Sequence, residues 1–152
     1  MKILALQKRS DLDQNKKLKK KFLQFEMLIN ELKNKEASPE TVNFINDQIQ
    51  KVNGIIDSDR ALKNQIRNSQ LKILKKVEKE LKLVVKNHYR NMWLGVGMAL
   101  GVAIGSAIGT GTGNMSLFGL GLPLGMAIGI VYGTSLDKKA KEEGKQLNLE
   151  IH

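Results

Sequence analysis

The sequence has no cysteine, two histidines, two prolines and few aromatic rings. Without cysteine, a disulfide-stapled secreted domain is excluded. His88 and His152 are too few for a histidine-rich metal site, and no metal cluster is legible elsewhere. No Gly-Lys-Ser or Gly-Lys-Thr is present, which excludes a phosphate-binding loop. Gly95-Val96-Gly97 and Gly119-Leu120-Gly121 lack the third glycine of a dinucleotide fingerprint and follow no strand pattern. His88 has no recognisable nucleophile partner, and the acids are scattered over charged helix faces. No enzyme and no cofactor are therefore expected. The apolar run at Ile3-Leu4-Ala5-Leu6 is too short for a secretory signal, so cleavage is not expected.

Charge is absent from one region altogether. Residues 1–91 hold 21 basic and 11 acidic side chains, residues 137–152 hold four of each, and residues 92–136 hold none. The whole excess of +10 therefore lies before the neutral block. Twelve of the 14 glycines lie between Gly95 and Gly133. The chain divides by composition into a basic domain over 1–90, an apolar glycine-rich block over 91–136 and a charged tail over 137–152.

The basic domain reads as three amphipathic helices. Leu18, Phe22, Phe25, Ile29 and Leu32 are spaced alternately by four and three, which puts them on one helical stripe. Ser10 suits the N-cap, and the helix should end near Asn34. Ser38-Pro39-Glu40-Thr41 is a second helix start, because serine accepts from orphan amides and proline tolerates the first turn. Its stripe is Val42, Ile45, Ile49 and Val52. Asn53-Gly54 should end it in a left-handed conformation. A third start at Asp57-Ser58-Asp59 leads a longer stripe of Leu62, Ile66, Ile73, Val77, Leu81 and Val84, interrupted at Ser69 or Gln70. Phe22, Phe25 and Phe44 are the rings available to fill a shared seam. The pattern fits a three-helix bundle or an intermolecular coiled coil equally. Asn87-His88-Tyr89-Arg90-Asn91 holds no proline or glycine, which leaves open whether the third helix continues into the neutral block.

Residues 92–110 supply 19 consecutive uncharged positions and residues 116–136 supply 21, each long enough for a helix to cross a hydrocarbon core about 30 Å thick. Gly111-Thr112-Gly113-Asn114 reads as the turn between them. Since backbone in lipid must satisfy its own hydrogen bonds, the expected form is a transmembrane helical hairpin. A flexible linker would not be punctuated by Leu, Ile, Val and Met. Lys82, Lys86 and Arg90 precede the first span and Lys138 and Lys139 follow the second, while the turn carries no basic residue. By the bias of positive charge toward the inner side, both termini should be cytoplasmic. Trp93 and Tyr132 suit interfacial anchoring. Lys82, Lys86, Arg90, Trp93, Lys138 and Lys139 are thus the expected membrane-surface contacts. His88 reads as an ordinary interfacial histidine.

Glycine costs about 1 kcal/mol against alanine in a helix, so this many need a packing reason. Gly97, Gly101, Gly105, Gly109 and Gly113 recur every four residues, and so do Gly121, Gly125, Gly129 and Gly133. Such small-residue rows let helix backbones approach closely. Ala99, Ala103, Ala107 and Gly111 form a second small face almost opposite the first. A helix with two such faces can meet its hairpin partner with one and another copy with the other, so a homo-oligomer is expected. Ser106, Thr110 and Thr112 could line a polar path, although such hydroxyls also bond the preceding turn's carbonyls.

Asn91-Met92-Trp93-Leu94-Gly95 through Gly109, Gly113-Asn114-Met115, Gly125-Met126-Ala127-Ile128-Gly129 and Ser135-Leu136-Asp137-Lys138-Lys139-Ala140 resemble bacterial glycine-zipper membrane proteins over about residues 88–147. That resemblance implies close membrane-helix packing. The broader class includes channels and pore-forming toxins, so a channel or membrane-permeabilising effector of the bacterial inner membrane, regulated by the basic helices, is the leading expectation. The alternative is a passive anchor whose basic domain recruits a cytosolic protein or nucleic acid. Lipid is the expected partner of the cations nearest the spans. For Lys16–Lys21 a solvated helix face is the simpler reading.

Overall fold

The computed structural model describes residues 2–7, 9, 12, 15–56 and 58–150, without the side chain of Leu117. Five α-helices follow in order: α1 Lys16–Lys33, α2 Pro39–Asn53, α3 Asp59–Leu81, α4 His88–Thr112 and α5 Phe118–Glu142. The fold is all-α, with no strand among the described residues. The chain forms two compact units, one of residues 1–84 with 147–152, the other of residues 85–146.

In the first unit the helices start where short polar side chains can satisfy orphan amides. Ser38 Oγ accepts from Thr41 N–H and Ser58 Oγ from Ala61 N–H. Ser10 lies outside the described residues, and Asn15 caps α1 by accepting from Leu18 N–H. α1 ends at Asn34, as its pattern predicts. α2 ends at Gly54, but with φ −73° and not in the left-handed conformation expected there. The helix stops on a 2.9 Å bond from Gly54 N–H to the Gln50 carbonyl, which an ordinary residue could also make.

Both α1 and α2 pack on α3. Phe25, Leu28, Ile29 and Leu32 of α1, Ile45, Ile49 and Val52 of α2, and Leu62, Ile66, Ile73 and Val77 of α3 are buried. Burying one such side chain contributes about 1.5–3 kcal/mol, which is what holds these amphipathic faces together. Phe44 is only half-buried, with Lys76 Nζ 5.9 Å from its ring centroid. The interruption at Ser69 and Gln70 has a structural use. Both are buried, and Ser69 Oγ donates to Gln48 Oε1 at 3.2 Å, pinning α3 to α2.

The stripe of α3 does not run helically to Val84. Lys82 takes φ 55° and ends the helix at Leu81, and Asn87 takes φ 60° just before α4. The third helix and the first apolar helix are therefore separate. Val84 is still buried, in extended chain, and its carbonyl accepts from Leu147 N–H at 2.8 Å.

Both ends of the chain complete this unit. Residues 2–7 run beside α2, where Asn46 accepts from Leu4 N–H and donates to the Lys2 carbonyl, and Asn53 accepts from Gln7 N–H. Ile3 is buried there. At the other end Leu147 and Leu149 are buried, and Asn148 N–H donates to Glu31 of α1 at 2.7 Å.

Candidate functional site: the glycine interface of the hairpin

The second unit is α4 and α5, joined by a sharp turn. Gly113, at φ 66°, ends α4 in a conformation that favours glycine. Asn114 then accepts from Ser116 N–H, and a single 3₁₀ turn over Met115–Leu117 leads into α5. Gly111 and Thr112, expected in the turn, are the last residues of α4.

Along the apolar part of the hairpin the two helices meet through facing rows of glycine. Gly97, Gly101, Gly105 and Gly109 are buried on α4, as are Gly121, Gly125, Gly129 and Gly133 on α5. A methyl group at Gly101 would lie 2.5 Å from the Gly121 carbonyl oxygen, and one at Gly105 would lie 2.5 Å from that of Phe118. Methyls at Gly97 and Gly125 would each overlap the other residue's carbonyl oxygen. Gly129 is set against the Trp93 carbonyl, and a methyl at Gly133 would lie 2.5 Å from Arg90 Cα. Backbone thus touches backbone along the length of the hairpin. Gly109 is looser, with Met115 Sδ 3.4 Å from its virtual methyl. Gly113 does not join the packed row, because the chain has already turned there and nothing lies within 4 Å of its virtual methyl.

The charged end of the hairpin is closed by a residue that spacing does not reveal. Asn87 makes no side-chain cap on α4. Asp137 of α5 does so instead, its two carboxylate oxygens accepting from Tyr89 N–H at 3.1 Å and Arg90 N–H at 2.9 Å. A carboxylate on the first turn satisfies orphan amides and complements the positive end of the helix dipole. Asp137 is buried, and its own carbonyl accepts from Gln146 Nε2. Nearby, Trp93 and Tyr132 meet edge to face, centroids 4.4 Å apart.

The remaining sequence-predicted residues lie outside the interface. Ser106, Thr110 and Thr112 donate to the carbonyls of Val102, Ser106 and Ile108 at 2.7–2.9 Å. Lys82, Lys86, Arg90, Lys138 and Lys139 are exposed, and Lys138 and Lys139 face Glu142 and Glu143 at 3.9 and 4.0 Å. Among the described residues no group of three or more His, Asp or Glu side chains could hold a metal ion.

What the hairpin leaves outside is as informative as what it buries. Leu100, Ile104, Leu124, Ile128 and Val131 are 50–72% exposed. Only 22% of the apolar window of each helix is buried, although both helices are long and apolar enough to cross a membrane. A water-soluble core would turn these side chains inward and leave glycine out. Here the arrangement is reversed, with a continuous apolar shell around a glycine seam, as lipid solvation requires.

Residues 88–139, 52 of the 152, match the model of the glycine zipper membrane protein family. No match among curated proteins or solved structures reaches significance. The matched segment is similar to glycine-zipper membrane proteins, and its two apolar helices are long enough to cross a membrane.

Proposed function

We propose that this chain is a self-assembling inner-membrane protein in which the glycine row closes the hairpin and the opposite face of α4 joins neighbouring copies. The observation that carries the reading is the second small face. Gly101, Gly105, Gly125 and Gly129 are occupied within one hairpin. Ala99, Ala103, Ala107 and Gly111 remain exposed, and a methyl at Gly95 or Gly111 would meet nothing within 4 Å. A helix that is small on two faces, with only one used internally, has a second close-approach surface to offer. The basic residues on both flanks support cytoplasmic termini.

The proposed output is membrane permeability, controlled by the basic bundle. The test is dye release from liposomes containing the full chain, beside Ala103→Leu at equal incorporation, with oligomers trapped by crosslinking. Gly105→Leu is the wrong probe, since it would break the hairpin itself. Release and oligomers from the native chain, both lost in Ala103→Leu, are expected. Unchanged oligomers in the variant would sink the assembly face.

A second reading, a passive anchor for a cytosolic partner, has one observation in its favour. The hydroxyls of Ser106, Thr110 and Thr112 are already bonded to backbone, and the spans hold no charged residue. Such a surface supplies few groups to an ion path. Oligomers without release would favour this reading.

A further inference from the structure

The outward side of α3 is rich in cations. Leu62, Ile66, Ser69, Ile73 and Val77 hold one side of this helix in the bundle. Across from them Arg60, Arg67 and Lys75 fall in one line with Leu71, Lys63 and Lys72 flank that line on opposite sides, and all five cations are exposed. Among the described residues no ion pair engages any of the five. Their neighbour Lys76 shows that α3 can pair where pairing serves the bundle. It lies 2.7 Å from Glu40 and 2.5 Å from Glu80. Of the acids of α3, Glu80 pairs with Lys76, Glu78 has a partner of its own, and Asp59, which accepts from the neutral amide of Asn15, keeps its charge at the start of the row. From Arg60 to Lys75 the row is about 22 Å long at helical rise. In its middle stands Leu71, 55% exposed.

A row of fixed cations around one outward leucine suits an anionic surface with an apolar layer beneath it. The chain brings such a surface close. Only residues 85–87 separate Val84 from α4, a reach of about 10 Å, whatever orientation the two units take. The tether holds the C-terminal end of α3 near the leaflet, and a helix lying flat there would bring the rest of the row to the same surface. A tether this short also makes the bilayer the polyanion at the highest effective concentration, ahead of any soluble one. We infer that the outer face of α3 binds anionic phospholipid headgroups and lays the basic bundle on the leaflet that holds its own hairpin. The inference needs only the membrane hairpin, and holds whether or not hairpins assemble.

The absence of cysteine makes a clean test possible. Leu71→Cys in the full chain is labelled with an environment-sensitive fluorophore, and Met27→Cys, exposed on α1, serves as the control site. The proteins are incorporated to equal extent into phosphatidylcholine vesicles with or without phosphatidylglycerol. The label at position 71 is expected to shift to the blue, and to be quenched by lipid-borne nitroxide, only in the anionic vesicles. Both effects should be lost at about 1 M salt, where the Debye length falls to about 3 Å, and in the Arg67→Glu/Lys75→Glu variant. The label at position 27 should not respond. Equal signals from position 71 in both vesicle types would overturn the inference. So would a stronger response from position 27, or a response to an added oligonucleotide but not to anionic lipid.

Discussion

Two kinds of glycine share these helices, and single substitutions separate them. Gly121 and Gly125 face backbone so closely that a methyl at either would lie 2.8 Å or less from backbone nitrogen of α4. Backbone cannot rotate away as a side chain can. Gly121→Ala and Gly125→Ala should therefore destabilise the hairpin by about 1–3 kcal/mol, the usual range for overpacking. Gly95 and Gly119 have open space at the same position. Gly95→Ala and Gly119→Ala should be neutral or should stabilise by up to about 1 kcal/mol. Unfolding from detergent micelles, followed by the fluorescence of Trp93, measures all four; equal effects at buried and open positions would refute the packing account. Asp137 is the other decisive residue. Asp137→Ala removes the acceptor for two amides of α4 and should cost about 0.5–2 kcal/mol in the same assay, as loss of a helix cap does. Its role is not legible from spacing, because the capped amides lie 47 and 48 residues away on another helix.

At the scale of elements, helix ends and the α2–α3 contact carry the consequences. Lys82 ends α3 at φ 55°, a region that disfavours residues bearing a Cβ. Lys82→Gly should stabilise the bundle by about 1 kcal/mol in a thermal melt, and a loss of stability would show that the lysine side chain matters more than its backbone. Across the α2–α3 contact, Lys76 hydrogen-bonds Glu40 and Glu80, which holds its ammonium group above the ordinary lysine range. Hydrogen bonds from Lys76 and Thr41 hold the Glu80 carboxyl below the ordinary carboxylate range. The folded state therefore binds Glu80's proton less readily than the unfolded chain does. Its stabilisation is present above the ordinary glutamate range, about pH 4.3, and is lost as pH falls through the folded value below it. Acidification below that range should loosen the bundle. In Glu80→Gln that acid sensitivity should be reduced, and an unchanged acid profile in circular dichroism would refute it.

For the molecule as a whole, the order of the units along the chain matters. The bundle is built from residues on both sides of the hairpin, with Leu147 fully buried and Leu149 nearly so. Leu147→Ala should cost about 2–5 kcal/mol of bundle stability, the range for truncating a buried leucine, although it lies far in sequence from α1 and α2. Removing residues 146–152 should do at least as much. A bundle melting at the native temperature after either change would show that the tail contributes nothing. The order also implies that the bundle cannot complete its core until α5 has been synthesised.

Much of this was set locally. Serine followed by Pro39-Glu40, the four-residue glycine rows and a 45-residue stretch without charge are signals of local chemistry, and they determine the helix starts, the hairpin and its solvent. Periodicity alone also picked out the buried faces of α1, α2 and α3. It failed where two conformations are locally compatible and a distant partner chooses. Val84 sits at helical spacing, yet Lys82 turns left-handed and Val84 pairs in extended chain with Leu147. Gly113 shares the repeat of Gly109 but serves the turn, since the close approach ends where the chain reverses. Leu147 and Leu149 lie in a short charged tail with no period, and only their burial in the folded unit marks them as core. A pattern along the chain can specify which face of an element is apolar or small; which partner covers that face is a property of three-dimensional packing, and it was decided there.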